Sequence, residues 1–276
     1  MIYARGMRIA TWNINSIRAR AERALDVLLR HDLDVLALQE IKCKPEQFPL
    51  EAFEAAGYEV AIHGHNQWNG VAIISRVGLE DVRTEFPGQP GFVKGVPDDA
   101  AALYIPGPAE ARAVGAVVGG IELWSLYVPN GRAVNDPHYH YKQDFLRAVA
   151  EYGRGRLAAD PETQLAFVGD WNVIPTDVDV WDPEAMDEGL YLTEPERAAY
   201  ETVAAAGFAE VTREYATNYT FWDYKQLRFP RNEGMRIDFV HASPALAGRV
   251  TGAVIDRDER KGTGASDHVP VIVDLS

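Results

Sequence analysis

The sequence predicts a single α/β domain. Short apolar runs of strand length alternate with longer segments of helical period from one end of the chain to the other. The chain has 276 residues, 47% of them hydrophobic and 25% charged, which is globular composition and enough length to bury a large core without staples. Residues 1–7 read as a short extension and 8–276 as the domain. The Gly- and Pro-rich stretch from about Pro87 to Pro108 reads as a loop or a ragged sheet edge, not a domain boundary.

Bulk chemistry excludes several classes. The single cysteine, Cys43, rules out an intramolecular disulfide. There is no signal-peptide pattern and no apolar run near the roughly 18 residues that a membrane span needs, so a reducing cytoplasm is the expected compartment. Cys43 has no clustered histidines around it and is no zinc site. Net charge is −14 and the pI is about 4.9. That balance runs against a nucleic-acid partner, because phosphate binding leaves a basic footprint. A DNA binder of this composition must concentrate its Lys and Arg locally, or bridge to phosphate through a metal.

The elements follow in order. Arg8–Ile14 is a first strand that delivers Asn13 and Asn15 at its end. Asn15 or Ser16 can cap a helix from about Ile17 to His31, with Ala24, Leu25, Leu28 and Leu29 on one face. Leu33–Glu40 is a second strand ending in glutamate, and Gly70–Ser75 a third. Arg112 opens an alternating strand continued by Ile121–Val128, with Tyr127 at its end before the turn Pro129-Asn130-Gly131. His138 to about Leu157 has a helical pattern built on Phe145, Leu146 and Val149, and it carries Lys142. Leu165–Val168 is a buried strand that stops at Gly169 and presents Asp170 and Asn172; Trp171 reads as the packing residue between them. An acidic excursion covers Thr176 to Glu188. Thr193-Glu194-Pro195-Glu196 is a helix start, with a threonine cap and a glutamate three residues on, and the helix runs to about Ala206.

From Asn218 to Asp238, the aromatics Tyr219, Phe221, Trp222, Tyr224 and Phe229 are interleaved with Lys225, Arg228, Arg231 and Arg236. In so acidic a chain this is a local basic patch, and rings between cations suit a surface that meets phosphates and stacks on a nucleic acid. Arg236–Val240 is a strand with an internal aspartate, Asp238. Ser266-Asp267-His268 leads into a last strand, Val269 to Leu275.

Strand ends thus supply Asn13, Glu40, Tyr127, Asp170, Asn172, Asp267 and His268. Carboxylate and carboxamide oxygens suit Mg²⁺ or Mn²⁺, and the lack of a His/Cys cluster disfavours zinc. One histidine beside a strand aspartate suggests an oriented imidazole. There is no Gly-rich phosphate loop and no GxSxG nucleophile. Metal, oriented histidine and carboxylate together fit hydrolysis of a phosphate ester by activated water.

Eight blocks sharpen this reading: Ala10–Asn15 with Arg18, Leu38–Lys42, Asn69–Ala72, Leu126–Gly131, Gly169–Asn172 with Pro175–Asp177, Phe221–Tyr224, Arg236–Asp238 and Ser266–His268. In this order the chain resembles the exonuclease III family of abasic-site DNA endonucleases, within the DNase I-like superfamily of metal-dependent phosphoesterases. The resemblance implies a four-layered α/β sandwich of two mainly antiparallel sheets with helices outside. It implies Mg²⁺ (or Mn²⁺) on Glu40, with Asn13, Asp267, Asp170 and Asn172 around it. His268, oriented by Asp238, would contact the scissile phosphate as base or as electrostatic clamp. Asp170 would position or deprotonate the attacking water, and Asn172 and Tyr127 would hold phosphate oxygens. Trp222 would line the pocket for the flipped-out baseless sugar, and Arg112, Lys142, Asn130, Arg228 and Arg18 would contact DNA. The implied partner is double-stranded DNA with abasic sites or blocked 3′ ends, acted on by a monomer away from membranes. Two departures stand out: Asn130 replaces a longer glutamine of some relatives, and the net charge is strongly negative. The rival readings are a phosphoesterase of the same fold with another substrate and a catalytically weak DNA-binding relative. The second would have lost Glu40, Asp170 or His268, and all are present.

Overall fold

A computed structural model describes residues 6–95, 102–186 and 189–276. Part of the expected extension, of the 87–108 loop and of the acidic excursion therefore lies outside the described residues. The strands are β1 (Met7–Asn13), β2 (Val35–Gln39), β3 (Glu59–His63), β4 (Val71–Ser75), β5 (Glu80–Arg83), β6 (Ala113–Val118), β7 (Ile121–Tyr127), β8 (Leu165–Asp170), β9 (Ala209–Glu210), β10 (Asp238–Ala242), β11 (Val250–Ile255) and β12 (Val271–Leu275). The principal helices are α1 (Ile17–Arg30), α2 (Leu50–Ala55), α3 (Pro137–Ala159) and α4 (Glu194–Ala205).

Two six-stranded sheets form, in the orders β11-β12-β1-β2-β4-β3 and β5-β6-β7-β8-β10-β9. Alternation along each strand sends one set of side chains between the sheets and the other set outward. Ile9, Val35, Ala37 and Ile73 meet Val114, Leu123, Val168 and Val240 in the middle layer. On one outer face, Ala10, Trp12, Leu36 and Leu38 pack under Ala24, Val27 and Leu28 of α1 and Phe53 of α2. On the other, Trp124, Phe167 and Phe239 pack under Phe145, Leu146 and Val149 of α3 and Tyr200 and Val203 of α4. The result is the four-layered sandwich the sequence implied.

Each sheet is antiparallel except at its centre. β1 pairs parallel with β2 across α1, and β7 pairs parallel with β8 across α3, as strands joined by a helical crossover must. The C-terminal ends of these two parallel pairs lie at one edge of the sandwich. The neighbours β12 and β10 run antiparallel to β1 and β8, so they begin where those strands end. Six chain segments therefore converge on one edge, and that topology positions the site.

Local boundaries differ in a few places. β8 does not stop at Gly169 but runs on to Asp170. A Cβ on Gly169 would run into the Leu126 carbonyl oxygen of β7, so the glycine permits close strand approach. The capping box at Thr193 and Glu196 forms as read. Ser16 precedes α1 with a left-handed φ of 86° and makes no side-chain cap bond. The edge strands β3, β5, β9 and β11 carry little sequence pattern.

Candidate active site

The convergent edge gathers most of the residues read from strand ends. Asn13 closes β1, Glu40 follows β2, Tyr127 closes β7, Asp170 closes β8, Asp238 opens β10 and His268 precedes β12. Asp238 and Asp170 are direct cross-strand partners. His268 Nδ1 lies 2.9 Å from Asp238 Oδ2, and its Nε2 lies 3.7 Å from Asp170 Oδ2. Asp170, Asp238 and His268 are the group among the described residues whose ligand atoms could share one metal ion. Glu40 joins them through Asn13, whose Nδ2 donates to Glu40 Oε1 and to Asp170 Oδ2, each at 2.9 Å. Glu40 and Asn172 both sit in left-handed backbone, at φ 51° and 50°. Non-glycine residues adopt that region at a cost, and such strain gathers at functional sites.

Charge is unevenly distributed here. Burial pushes Asp170 up to about 7; the His268 charge opposes this and the Asp238 charge adds to it. Burial works against the His268 imidazolium, but the carboxylates of Asp238 and Asp170 outweigh it and raise the group to about 10. Burial also works against the Glu40 charge, yet Lys42, 2.6 Å away, and the Asn13 amide hold its carboxyl below the usual range. Burial and then the Glu40 charge raise the Tyr127 phenol well above its ordinary value, so it stays a proton donor. Three carboxylates thus face an imidazolium and Lys42, a surplus of acceptors that a hard divalent cation would neutralise. The oxygen donors fit Mg²⁺.

Several expected residues take other places. Asn13 bridges the carboxylates with its nitrogen while its Oδ1 accepts from the Asn15 N–H at 3.1 Å, so it positions ligands. Asp267 Oδ1 accepts from Asn15 Nδ2 at 3.0 Å and lies outside the Asp170–Asp238–His268 group. Asn172 Nδ2 donates to the Val128 carbonyl at 2.9 Å, and its N–H donates to Asp170 Oδ1 at 3.0 Å. Trp171 is fully buried, as read, with Nε1 donating to the Phe239 carbonyl.

Four expectations are corrected. Trp222 is 0% exposed, packed against Tyr219, Phe229 and Arg257, and has no open face for a sugar. Its neighbour Phe221 faces the site instead, with its ring centroid 4.8 Å from that of His268. Lys142 is also fully buried; it pairs with Glu196 and donates to the carbonyls of Asn130 and Asn172. It holds the site's loops from behind and cannot reach DNA. Arg112 is buried too, with its guanidinium against Glu110, the Tyr127 carbonyl and the Tyr127 ring. The basic patch is largely neutralised: Arg236 is buried against Glu210 and Asp179, and Arg228 and Arg231 both meet Glu233. Arg18 is exposed. Asn130 is half-buried and donates to the Tyr191 hydroxyl.

Beside His268 lies a cavity of about 310 Å³ lined by Trp181, Met186, Tyr191, Phe221, Arg228 and Met235. Isolated bridges from Val180 to Met235, Met235 to Phe221 and Phe221 to His268 build its wall. Phe221 could have been found by choosing the other of two adjacent aromatics. Trp181 and Met235 carry no local signal, because they meet only through these tertiary bridges.

Comparison with known proteins agrees with this geometry. A model of the endonuclease/exonuclease/phosphatase family matches residues 10–268. Exodeoxyribonuclease III of Haemophilus influenzae is 27% identical, over 96% of this chain and 98% of its own. The solved 3′ phosphatase NExo of Neisseria bound to a product DNA hairpin is 30% identical, at a TM-score of 0.86, with 98% of this chain and 99% of that one covered. An AP endonuclease from Archaeoglobus fulgidus gives the same identity, TM-score and coverage.

Proposed function

Because the chain belongs to the endonuclease/exonuclease/phosphatase family and is a DNA-repair nuclease within it, we propose that it hydrolyses the DNA backbone 5′ to abasic sites with Mg²⁺. Removal of 3′ blocks and 3′-to-5′ exonuclease action follow from the same chemistry. The observation that carries this reading is the convergence of Glu40, Asp170, Asp238 and His268, with Tyr127 and Asn172, on one edge beside the Phe221 cavity. Monomeric action in the cytoplasm is part of the proposal; among the described residues no helix is long and apolar enough to cross a membrane.

Each residue takes a role from its surroundings. Glu40, already held as a carboxylate, would hold Mg²⁺, with the Asn13 amide tying it to Asp170. Mg²⁺ held there would supply positive charge against the phosphate. His268, held protonated by Asp238, acts as a cationic clamp on a phosphate oxygen rather than as the base. Asp170, raised towards neutrality, takes the proton from the attacking water; two groups whose environments push them to different values divide the acid and base work. The Tyr127 hydroxyl and the second amide proton of Asn172 donate to phosphate oxygens where charge builds. The cavity under Phe221, Trp181 and Met235 receives the sugar, whose extrusion needs no base pair broken. Arg228 and Arg18 contact flanking phosphates.

The test is a labelled duplex with one tetrahydrofuran site. Incision 5′ to the lesion with Mg²⁺, and none with a chelator, is expected. Intact duplex at every salt concentration tried would overturn the assignment.

A further inference from the structure

We infer that His63 and His65 form a second metal site, distinct from the cleft, for a late first-row divalent cation such as Zn²⁺ or Ni²⁺. The two Nε2 atoms lie 3.2 Å apart, with ring centroids at 4.9 Å and planes at 77°. Two imidazole nitrogens bound to one tetrahedral ion at about 2.0–2.1 Å stand about 3.3 Å from each other. The separation is therefore that of a preformed chelate.

The tautomer is set for ligation. His63 Nδ1 lies 2.9 Å from the Ala113 carbonyl oxygen, which can only accept. Nδ1 therefore carries the proton and Nε2 offers its lone pair. A ring N–H fixed on a backbone carbonyl is the usual outer support of a metal-bound histidine. Burial lowers the His63 pKa, so the ring is neutral at pH 7. The backbone bonds to Ala113 and Thr84 and the Glu85 charge oppose this fall, and the His65 charge adds to it.

Local sequence builds the pair. His63 closes β3, and residues two apart share a face of an extended chain. A Cβ on the intervening Gly64 would meet the Cys43 carbonyl oxygen, so glycine lets the backbone pass there. The loop that follows is tied to the segment after Glu40: Ile41 N–H donates to the Gly70 carbonyl at 3.1 Å and Lys42 N–H to the Asn69 carbonyl at 3.0 Å. It carries Trp68, 66% exposed, into a cavity of about 620 Å³ that His65 and Asn69 also line. An ion on the pair would fasten this loop to β3. Nitrogen donors favour Zn²⁺, Ni²⁺ or Cu²⁺, whereas the oxygen-rich cleft favours Mg²⁺, so the two sites select different ions.

The experiment titrates Zn²⁺ into the full chain in excess Mg²⁺, competing against a chromophoric chelator. His65→Gln changes an exposed side chain and is expected to lose one equivalent of Zn²⁺. Asp170→Asn, in the cleft, is expected to keep it. Hydrogen exchange across 64–69 should slow on Zn²⁺ addition in the native chain and not in His65→Gln. Equal Zn²⁺ stoichiometry in the native chain and His65→Gln would overturn the proposal and leave the pair a plain His–His hydrogen bond.

Discussion

The cleft and the cluster around Arg236 are both buried, both ionic and close in sequence, yet they are built on opposite terms. In the Arg236 cluster each carboxylate is saturated by donors. Asp179 accepts from Arg213, from the Thr176 hydroxyl and from its N–H, while Glu210 accepts from Arg236, the Thr212 hydroxyl and its N–H. The cations and hydrogen bonds there outweigh burial and hold Glu210 below its usual range. The leftover groups are donors, Arg236 Nε and Nη1. In the cleft the imbalance is reversed: carboxylates crowd one another, and Asp170 rises to about 7. A buried ionic cluster with matched partners is scaffold, whereas one with surplus acceptors is a site that a cation completes.

Substitutions should separate the two. Asp170→Asn removes the proposed base and a crowded charge at once. Turnover should fall by about 10³-fold or more, while binding of abasic DNA persists and the melting temperature holds or rises. Steady-state kinetics with thermal melting checks this; a drop in melting temperature would merge the cleft with the scaffold. Arg236→Met leaves Glu210 without its buried cation and Asp179 with Arg213 alone. It should cost about 3–5 kcal/mol of unfolding free energy, read by urea titration, while the folded fraction keeps its kcat. Asp238→Asn is milder: turnover falls by about 10²-fold. The native His268, near 10, stays protonated through neutral pH. Without Asp238 its pKa drops, so turnover should decline as pH rises past neutrality, where native turnover, having climbed through about 7 as Asp170 loses its proton, holds level. Parallel pH profiles would make the pair structural.

The contrast also explains what the sequence could and could not convey. Asn13, Glu40, Tyr127, Asp170 and His268 were legible because each ends or begins a strand, and strand ends are marked by apolar runs stopping at polar residues. Their convergence follows from two parallel pairs, which the crossover helices α1 and α3 require. Burial of cations was not legible. Lys142, Arg112 and Arg236 look like surface charges in any local window, and only Glu196, Glu110 and Glu210, distant or unpatterned in sequence, reveal their role. Trp222 and Phe221 are adjacent on a segment too short for a reliable period. The choice between them depends on contacts with His268 and Phe229 that no local pattern encodes.

The sharpest test is that two buried histidines should titrate with opposite sign. His241 packs against Trp171 in the core with ring centroids 4.2 Å apart and planes tilted by 51°, and its Nδ1 has no hydrogen-bond partner. Burial lowers it to about 4, with Arg236 adding to the fall and Glu210 opposing it. Below pH 6.5 the unfolded chain therefore takes up a proton that the folded chain refuses, and the His241 contribution falls as pH drops towards 4, against the opposite contribution of Asp170, raised to about 7. His268 is raised to about 10, so the folded chain holds a proton that the unfolded one releases. Its contribution is complete below 6.5 and is lost as pH rises through 10. Each group sets a slope of at most about 1.4 kcal/mol per pH unit within its own window. Urea unfolding of the metal-free protein between pH 4 and 10 reads both. His241→Gln should remove only its own contribution below pH 6.5 and leave the alkaline limb unchanged, whereas His268→Gln should remove the alkaline limb. A single variant that flattened both limbs would show that cleft and core are one coupled ionic system rather than two.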